Sequence, residues 1–144
     1  MLHRGKKEAD ANKNKWIGIG GKLEKGESPE MCLLREVREE TGIILEAFEY
    51  RGVIDFQSDL WEEELMHLYT APLPAVSPDA VLEFPCSEGR LEWVKKEKVP
   101  ELPIWEGDRI FLNLLLEDAP FFRLALRYEG EKLRETQLEK FQKE

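Results

Sequence analysis

The stretch from Ser28 to Gly42 constrains the fold of this sequence most strongly. Ser28 is a good helix N-cap because its hydroxyl can accept a hydrogen bond from an unpaired backbone N–H. Pro29 suits the first helical turn, where its missing N–H costs nothing. Gly42 is a natural stop, because glycine adopts the left-handed backbone conformation that ends many helices. The sequence therefore predicts an α-helix between these two caps.

The predicted helix has an apolar side and an acidic edge about 140° away, at about 100° per residue. The apolar side consists of Met31, Leu33, Leu34 and Val37, and the acidic edge of Glu36, Glu39 and Glu40. Neighbouring glutamates at this spacing repel each other by about 0.2–0.5 kcal/mol per pair. Hard carboxylate oxygens without histidine or thiolate suit Mg²⁺ or Mn²⁺ and disfavour zinc. The alternative is a solvated acidic edge that binds nothing.

Length and composition indicate one folded domain. The 144 residues are 42% hydrophobic and 10% aromatic, and a chain of this size buries about 68–70% of its unfolded surface. We expect residues 1–144 to form a single domain with a charged tail over about 131–144 that frays. No apolar run approaches the roughly 18 residues of a membrane span, and the N-terminus has no signal-peptide core, so we expect a cytoplasmic protein.

Charge and cysteine content narrow the class of partner. The net charge of -9 argues against a nucleic-acid polymer, because such binding depends on many basic contacts to phosphate. The same charge would repel a small polyphosphate unless bound cations reversed the local sign. Cys32 and Cys86 are not spaced like a metal or redox pair. We expect both to be reduced and assign them no role.

The rest of the sequence predicts mainly strands. Strands are expected over residues 16–19, 43–56, 65–70, 90–94 and 121–128. A polar turn over 59–64 joins two of them as a hairpin, and a proline-rich loop fills 71–88. Helical spacing over 110–115 predicts a second helix, with Asp108 as its candidate cap.

The segment from Gly21 to Ile43 resembles the Nudix box: glycine, five residues, glutamate, seven residues, then REVREETGI. All nine specified positions match, namely Gly21, Glu27, Arg35, Glu36, Val37, Glu39, Glu40, Gly42 and Ile43. At this chain's own residue frequencies such a match arises in about three random chains per million. The resemblance implies an α+β fold, the Nudix α/β/α sandwich with a mixed β-sheet. It also implies attack of water on a nucleoside diphosphate derivative with Mg²⁺ as cofactor.

The resemblance also assigns roles to individual residues. It implies that Glu36, Glu39 and Glu40 bind Mg²⁺, or Mn²⁺ as a substitute, with the Gly21 carbonyl as a further ligand. Family members differ over the glutamate that activates water. Glu36 is one candidate for this base, and Glu88 in the later loop is the other.

Three further residues of the box region have supporting roles. Glu27 and Arg35 are expected to pair, fix the loop against the helix and orient Glu36 by hydrogen bonding. Lys22 is a candidate phosphate contact, with a solvated loop lysine as the alternative.

Sequence outside the box is similar to the MutT-related 8-oxo-dGTP diphosphatases, a likeness carried by KWIGIGGK, LEWVKKEKVPELPIWEGDRIFLNLLLED and FFRLALRYEG. It implies that Trp105 stacks on the nucleobase and that Asp108 bonds its edge; the alternatives are a core tryptophan and a helix cap. Two positions depart from the mammalian-type pattern, with Ile17 in place of asparagine and Gly107 in place of a second aspartate. A strand that family members have before residues 1–4 is expected to be absent.

These observations favour a nucleoside triphosphate pyrophosphohydrolase that releases a monophosphate and pyrophosphate and acts on oxidised purine nucleotides. One alternative is hydrolysis of ADP-ribose or another nucleoside diphosphate derivative. Another is a nucleotide-binding Nudix module without activity. In each case the expected partner is a small nucleotide rather than a nucleic-acid polymer or a membrane, and the protein is a monomer or homodimer.

Overall fold

The computed structural model describes residues 2–4, 15–72, 90–91 and 95–141. The elements in chain order are β1 (Leu2–Arg4), β2 (Lys15–Ile17), α1 (Pro29–Thr41), β3 (Glu49–Ser58), β4 (Glu64–Thr70), β5 (Arg90–Leu91), a 3₁₀ helix (Lys96–Glu101), α2 (Glu106–Leu116), β6 (Phe122–Glu129) and β7 (Lys132–Lys140). They fall into two compact units. The first comprises residues 1–47 and 71–104, and the second residues 48–70 and 105–144.

The first unit contains helix α1 and a small antiparallel sheet in the order β2-β1-β5. Its apolar cluster is formed by Val37, Ile43 and Leu45, with Ile19, Leu33 and Ala71 packed against it. Only part of the predicted apolar side of α1 is therefore buried. Met31 is 56% exposed and Leu34 is 38% exposed.

Helix α1 has the boundaries that the sequence predicts. The Ser28 hydroxyl accepts a hydrogen bond from the Met31 backbone N–H at 3.2 Å. At the other end Gly42 has φ of 75° and donates its N–H to the Arg38 carbonyl at 2.9 Å. The Thr41 hydroxyl donates to the Val37 carbonyl at 2.6 Å and reinforces the last turn. Local capping chemistry thus fixes both ends of the helix that carries the acidic edge.

The second unit is built on a four-stranded sheet in the order β4-β3-β6-β7. The central pair β3–β6 is parallel, and the two outer pairs are antiparallel, so the sheet is mixed, as the fold class predicts. The β3–β4 hairpin is confirmed. Strand β3 begins at Glu49 rather than at Ile43, because Ile43 and Leu45 pack in the apolar cluster of the first unit.

The core of the second unit lies between this sheet and helix α2. Residues of β6 alternate between buried and more exposed positions, as expected for a strand with one face on a core. The buried members of the core are Ile54, Trp105, Phe111, Leu114, Phe122, Leu124, Leu126 and Tyr128. Buried apolar side chains of β3, α2 and β6 therefore meet in one cluster.

Two sequence predictions in this unit are wrong. Helix α2 begins at Glu106, with Trp105 at the N-cap, so Asp108 lies inside the first turn and is not the cap. An acidic residue there still interacts favourably with the helix dipole. The charged tail does not fray over 132–140, because β7 pairs along its length with β6. Backbone hydrogen bonds hold this strand, although nearly all of its side chains are exposed.

No helix among the described residues is long and apolar enough to cross a membrane.

Replacing Leu124 with alanine tests the core of the second unit. Leu124 is 1% exposed, and we expect the Leu124→Ala variant to lose about 2–5 kcal/mol of unfolding free energy because it leaves a cavity. Leu65→Ala is the matched control, since Leu65 is 57% exposed on β4 and its truncation should cost about 0.5 kcal/mol. Urea unfolding followed by circular dichroism measures both. Equal losses would contradict this description of the core.

Candidate active site

The guanidinium of Arg35 joins helix α1 to the loop before it. Its Nε donates to Glu27 Oε2 at 2.7 Å and its Nη2 to Glu27 Oε1 at 3.0 Å. Nη2 also donates to the Lys22 carbonyl at 3.1 Å. This two-pronged carboxylate contact is the strong form of an arginine ion pair. The Glu27–Arg35 pair that the sequence predicts is therefore present and fixes the loop to the helix.

The same pair changes the ionisation of Glu27. Hydrogen bonds from Arg35 lower the pKa of Glu27 from 4.5 to about 2, with a further contribution from the Glu24 backbone N–H, which donates to the carboxylate at 3.0 Å. Hydrogen bonds of this kind favour the charged form. Glu27 consequently stays ionised and paired at every pH above its lowered pKa.

Arg35 also contacts the glutamates of the acidic edge. Its Nη1 donates to Glu36 Oε1 at 2.7 Å and to Glu39 Oε2 at 3.2 Å. Arginine has five donors in a rigid planar group and can serve several carboxylates at once. The repulsion between Glu36 and Glu39 that the sequence predicts is thus offset in part by one cation on their own helix.

Gly21 packs directly against the Glu36 carboxylate. A Cβ placed on Gly21 would lie 2.6 Å from the carboxylate carbon of Glu36 and would overlap one of its oxygens. Only glycine leaves room for the carboxylate at this position. Sequence reasoning proposed Gly21 for its carbonyl, and the structure adds a second requirement, the absence of a side chain.

The other two glutamates of the acidic edge have contrasting environments. The Glu39 side chain is 59% exposed. Glu40 is 5% exposed, and both of its carboxylate oxygens are shielded from solvent. A charged carboxylate is costly to bury unless it is paired or binds a metal ion. The burial of Glu40 therefore requires a compensating group close to its carboxylate.

The chemistry of these donors fits a divalent cation. Glu36 and Glu40 are one turn apart on α1, all donors are hard oxygens, and the space beside Gly21 holds a carboxylate. Within the described ranges, however, no three or more acidic, histidine or cysteine side chains are already gathered as a metal site. The carboxylates of Glu36 and Glu39 are bonded to Arg35 instead.

Cys32 contacts the loop that precedes helix α1. The sequence analysis assigned this residue no role. Its thiol is buried and free, and donates to the Gly21 carbonyl at 3.6 Å. Burial raises the pKa of this thiol, with the negative charge of Glu27 acting in the same direction. A neutral thiol therefore faces the backbone of Gly21.

The remaining predicted site residues are placed as follows. Lys22 is exposed, and its phosphate contact stays a prediction. Glu88 and Cys86 lie outside the described residues. Trp105 is 8% exposed and meets the Tyr128 ring edge-to-face at 5.4 Å, which favours the packing interpretation and leaves base stacking a prediction. Asp108 is partly exposed in the first turn of α2.

Comparison with known proteins identifies the family. The NUDIX domain model matches residues 1–115, and the chain belongs to this family, whose members generally use divalent metals. A crystal structure of a MutT protein from Bacillus halodurans superposes with a TM-score of 0.70 at 26% identity, covering 95% of this chain and 86% of that one. The Nudix α+β fold expected from the sequence is thereby confirmed.

Two curated relatives extend over most of the chain. An oxidized purine nucleoside triphosphate hydrolase of Danio rerio is 30% identical over 119 residues, covering 81% of this chain and 72% of the relative. An uncharacterized Nudix hydrolase of Bacillus subtilis, YvcI, is 32% identical over 119 residues, with 81% and 73% covered. The chain is therefore similar to Nudix hydrolases along most of its length.

The Glu27–Arg35 pair allows a prediction of how the stability of the protein changes with pH. Because the pKa of Glu27 is lowered from 4.5 to about 2 on folding, the pair stabilises the protein fully above pH 4.5 and progressively less as pH falls toward 2. The stability difference between wild type and Glu27→Gln should therefore shrink over that window. Urea unfolding at a series of pH values measures it.

The matched control is Glu24→Gln. Glu24 lies 3.6 Å from Arg35 Nη1, but its side chain is 67% exposed, so its loss should hardly change stability at any pH. A constant difference between wild type and Glu27→Gln from pH 5 to pH 2 would contradict the assignment.

Proposed function

We propose that this protein is an Mg²⁺-dependent nucleoside triphosphate pyrophosphohydrolase that releases a nucleoside monophosphate and pyrophosphate. We further propose oxidised purine nucleotides, such as 8-oxo-dGTP, as its substrates. The family assignment supports hydrolysis of a nucleoside diphosphate linkage. The names of similar proteins, oxidized purine nucleoside triphosphate hydrolases of Danio rerio and Mus musculus, support the choice of substrate.

The close approach of Gly21 to Glu36 carries this proposal. It brings the backbone of Gly21 and a carboxylate of the acidic edge together, with no room for a side chain between them. Arg35 Nη1 also bonds the Glu36 carboxylate at 2.7 Å. A carboxylate fixed in this way is oriented before any ligand arrives, which is the arrangement that catalysis by positioning requires.

Each residue of the acidic edge has a proposed role. Glu36, Glu39 and Glu40 hold Mg²⁺, or Mn²⁺ in its place, with the Gly21 carbonyl. When bound, the ion neutralises phosphate charge and lowers the pKa of an attacking water. Glu36 is the candidate within the described residues for accepting the proton of that water, and Glu88 remains the second candidate.

Base recognition is proposed from the start of α2. Asp108 is partly exposed in the first turn, and its carboxyl group is proposed to hydrogen-bond a purine edge. Trp105, with 8% of its surface exposed, contributes mainly by packing and only secondarily as a stacking surface. Lys22, exposed on the loop before α1, is proposed to contact a phosphate.

Replacing Glu40 with glutamine tests the acidic edge. Glutamine has nearly the same shape but no charge, so Glu40→Gln should keep the fold and lower the rate of 8-oxo-dGTP hydrolysis in Mg²⁺ by about 10²-fold or more. The matched control is Glu30→Gln, an exposed glutamate in the first turn of the same helix, which should stay within about 2-fold of wild type. Separation of 8-oxo-dGMP and pyrophosphate by anion exchange measures both.

Three outcomes would contradict parts of this proposal. Equal rates for Glu40→Gln and wild type would remove Glu40 from the mechanism. A higher kcat/KM for ADP-ribose than for any nucleoside triphosphate would make the substrate assignment wrong and leave the Nudix chemistry in place. Binding of nucleotide with Mg²⁺ but without turnover would indicate a binding module.

A further inference from the structure

A tyrosine hydroxyl from the sheet bonds the first turn of helix α2. The Tyr128 Oη accepts a hydrogen bond from the Gly107 backbone N–H at 2.7 Å, and both groups are buried. Tyr128 belongs to β6 and is 3% exposed. The contact spans 21 residues of sequence, so it fixes the start of α2 to the end of an inner strand of the sheet.

This contact replaces a missing helix cap. The first N–H groups of a helix have no partner within it and are normally satisfied by an N-cap side chain. The N-cap of α2 is Trp105, whose side chain makes no capping hydrogen bond. Tyr128 supplies the acceptor instead, from a different element of the same unit.

The contact also explains why position 107 is glycine. A Cβ there would lie 2.7 Å from Tyr128 Oη and 2.5 Å from Leu126 Cδ1, so any side chain would displace residues of β6. The second aspartate of the mammalian-type pattern therefore has no room at this position while Tyr128 keeps its place. The first turn of α2 carries the carboxylates of Glu106 and Asp108, and Asp108 is the one directly after Gly107.

Tyr128 is itself fixed by its neighbours. Its ring meets Trp105 edge-to-face at 5.4 Å and 81°, and Phe56 at 5.3 Å and 43°. Burial raises the pKa of its hydroxyl to about 12, so the group is neutral at physiological pH. A neutral, clamped phenol is a rigid acceptor for the Gly107 N–H.

We propose that Tyr128 is a positioning residue for nucleobase recognition, because its hydroxyl holds the Gly107 backbone and thereby sets the place of the adjacent Asp108 carboxyl. This inference rests on the proposed function of Asp108. Tyr128 touches no substrate in this proposal. It acts through the backbone of α2, and its effect appears in nucleotide affinity and selectivity.

The test is the Tyr128→Phe variant, which removes only the hydroxyl. KM should rise about 10-fold, the size expected for one lost buried hydrogen bond, with kcat within about 2-fold of wild type. The preference for 8-oxo-dGTP over dGTP should fall with it, and amide hydrogen exchange of Gly107 should speed up. The substrate is whichever nucleotide the wild type hydrolyses best, with 8-oxo-dGTP and dGTP always included.

The matched control is Tyr50→Phe. This variant also removes a hydrogen-bonded hydroxyl, because the Oη of Tyr50 on β3 lies 2.6 Å from Nδ1 of His67 on β4. This variant should leave KM, selectivity and exchange at Gly107 unchanged. An equal effect of both variants would show general loosening of the sheet and overturn the proposal.

The outcomes separate this inference from the proposed function. If wild type is active and Tyr128→Phe keeps its KM and selectivity, Tyr128 only caps the helix and this inference alone is wrong. If wild type hydrolyses nothing, the proposed hydrolysis is wrong, and binding of 8-oxo-dGMP by calorimetry replaces KM. Weaker binding by Tyr128→Phe than by Tyr50→Phe would then support the inference, and equal or undetectable binding would overturn it.

Discussion

The guanidinium of Arg35 is the interaction on which the proposed active site depends. It bonds Glu27 through two nitrogens and Glu36 through a third, and reaches the Lys22 carbonyl as well. One side chain thus fixes the loop, the helix and the first glutamate of the acidic edge. Lysine carries the same charge but not the planar set of donors, and therefore lacks the geometry for these contacts.

Sequence alone was sufficient where the determining contacts are local. The caps of α1, Ser28 and Gly42, act within one helical turn of the residues they serve. The Glu27–Arg35 pair spans eight positions, a separation that a loop entering a helix closes readily. These features depend on spacing, which the sequence displays directly, and for that reason the helix and its supporting pair were predicted at the right residues.

Features set by distant parts of the chain were not predictable in this way. The charged stretch at 132–140 reads as a tail, yet β6 offers it a complete partner strand. Asp108 is a favourable residue type for a helix cap, but the helix begins at Glu106, and its first turn is bonded by the Tyr128 hydroxyl of β6. In both cases a tertiary contact outweighs the local preference, and no residue type in the sequence indicates that this contact forms.

Gly21 and Gly107 show a further limit of prediction from sequence. Each is required because it has no Cβ. A Cβ at Gly21 would collide with the Glu36 carboxylate, and a Cβ at Gly107 would collide with the Leu126 side chain and the Tyr128 hydroxyl. Each glycine admits an oxygen atom from a partner on another element, close to a residue proposed to bind substrate or metal. Sequence reasoning reads glycine as a turn or as a missing side chain. The function of both is to let a partner approach the backbone, and that partner is visible only once the fold is known.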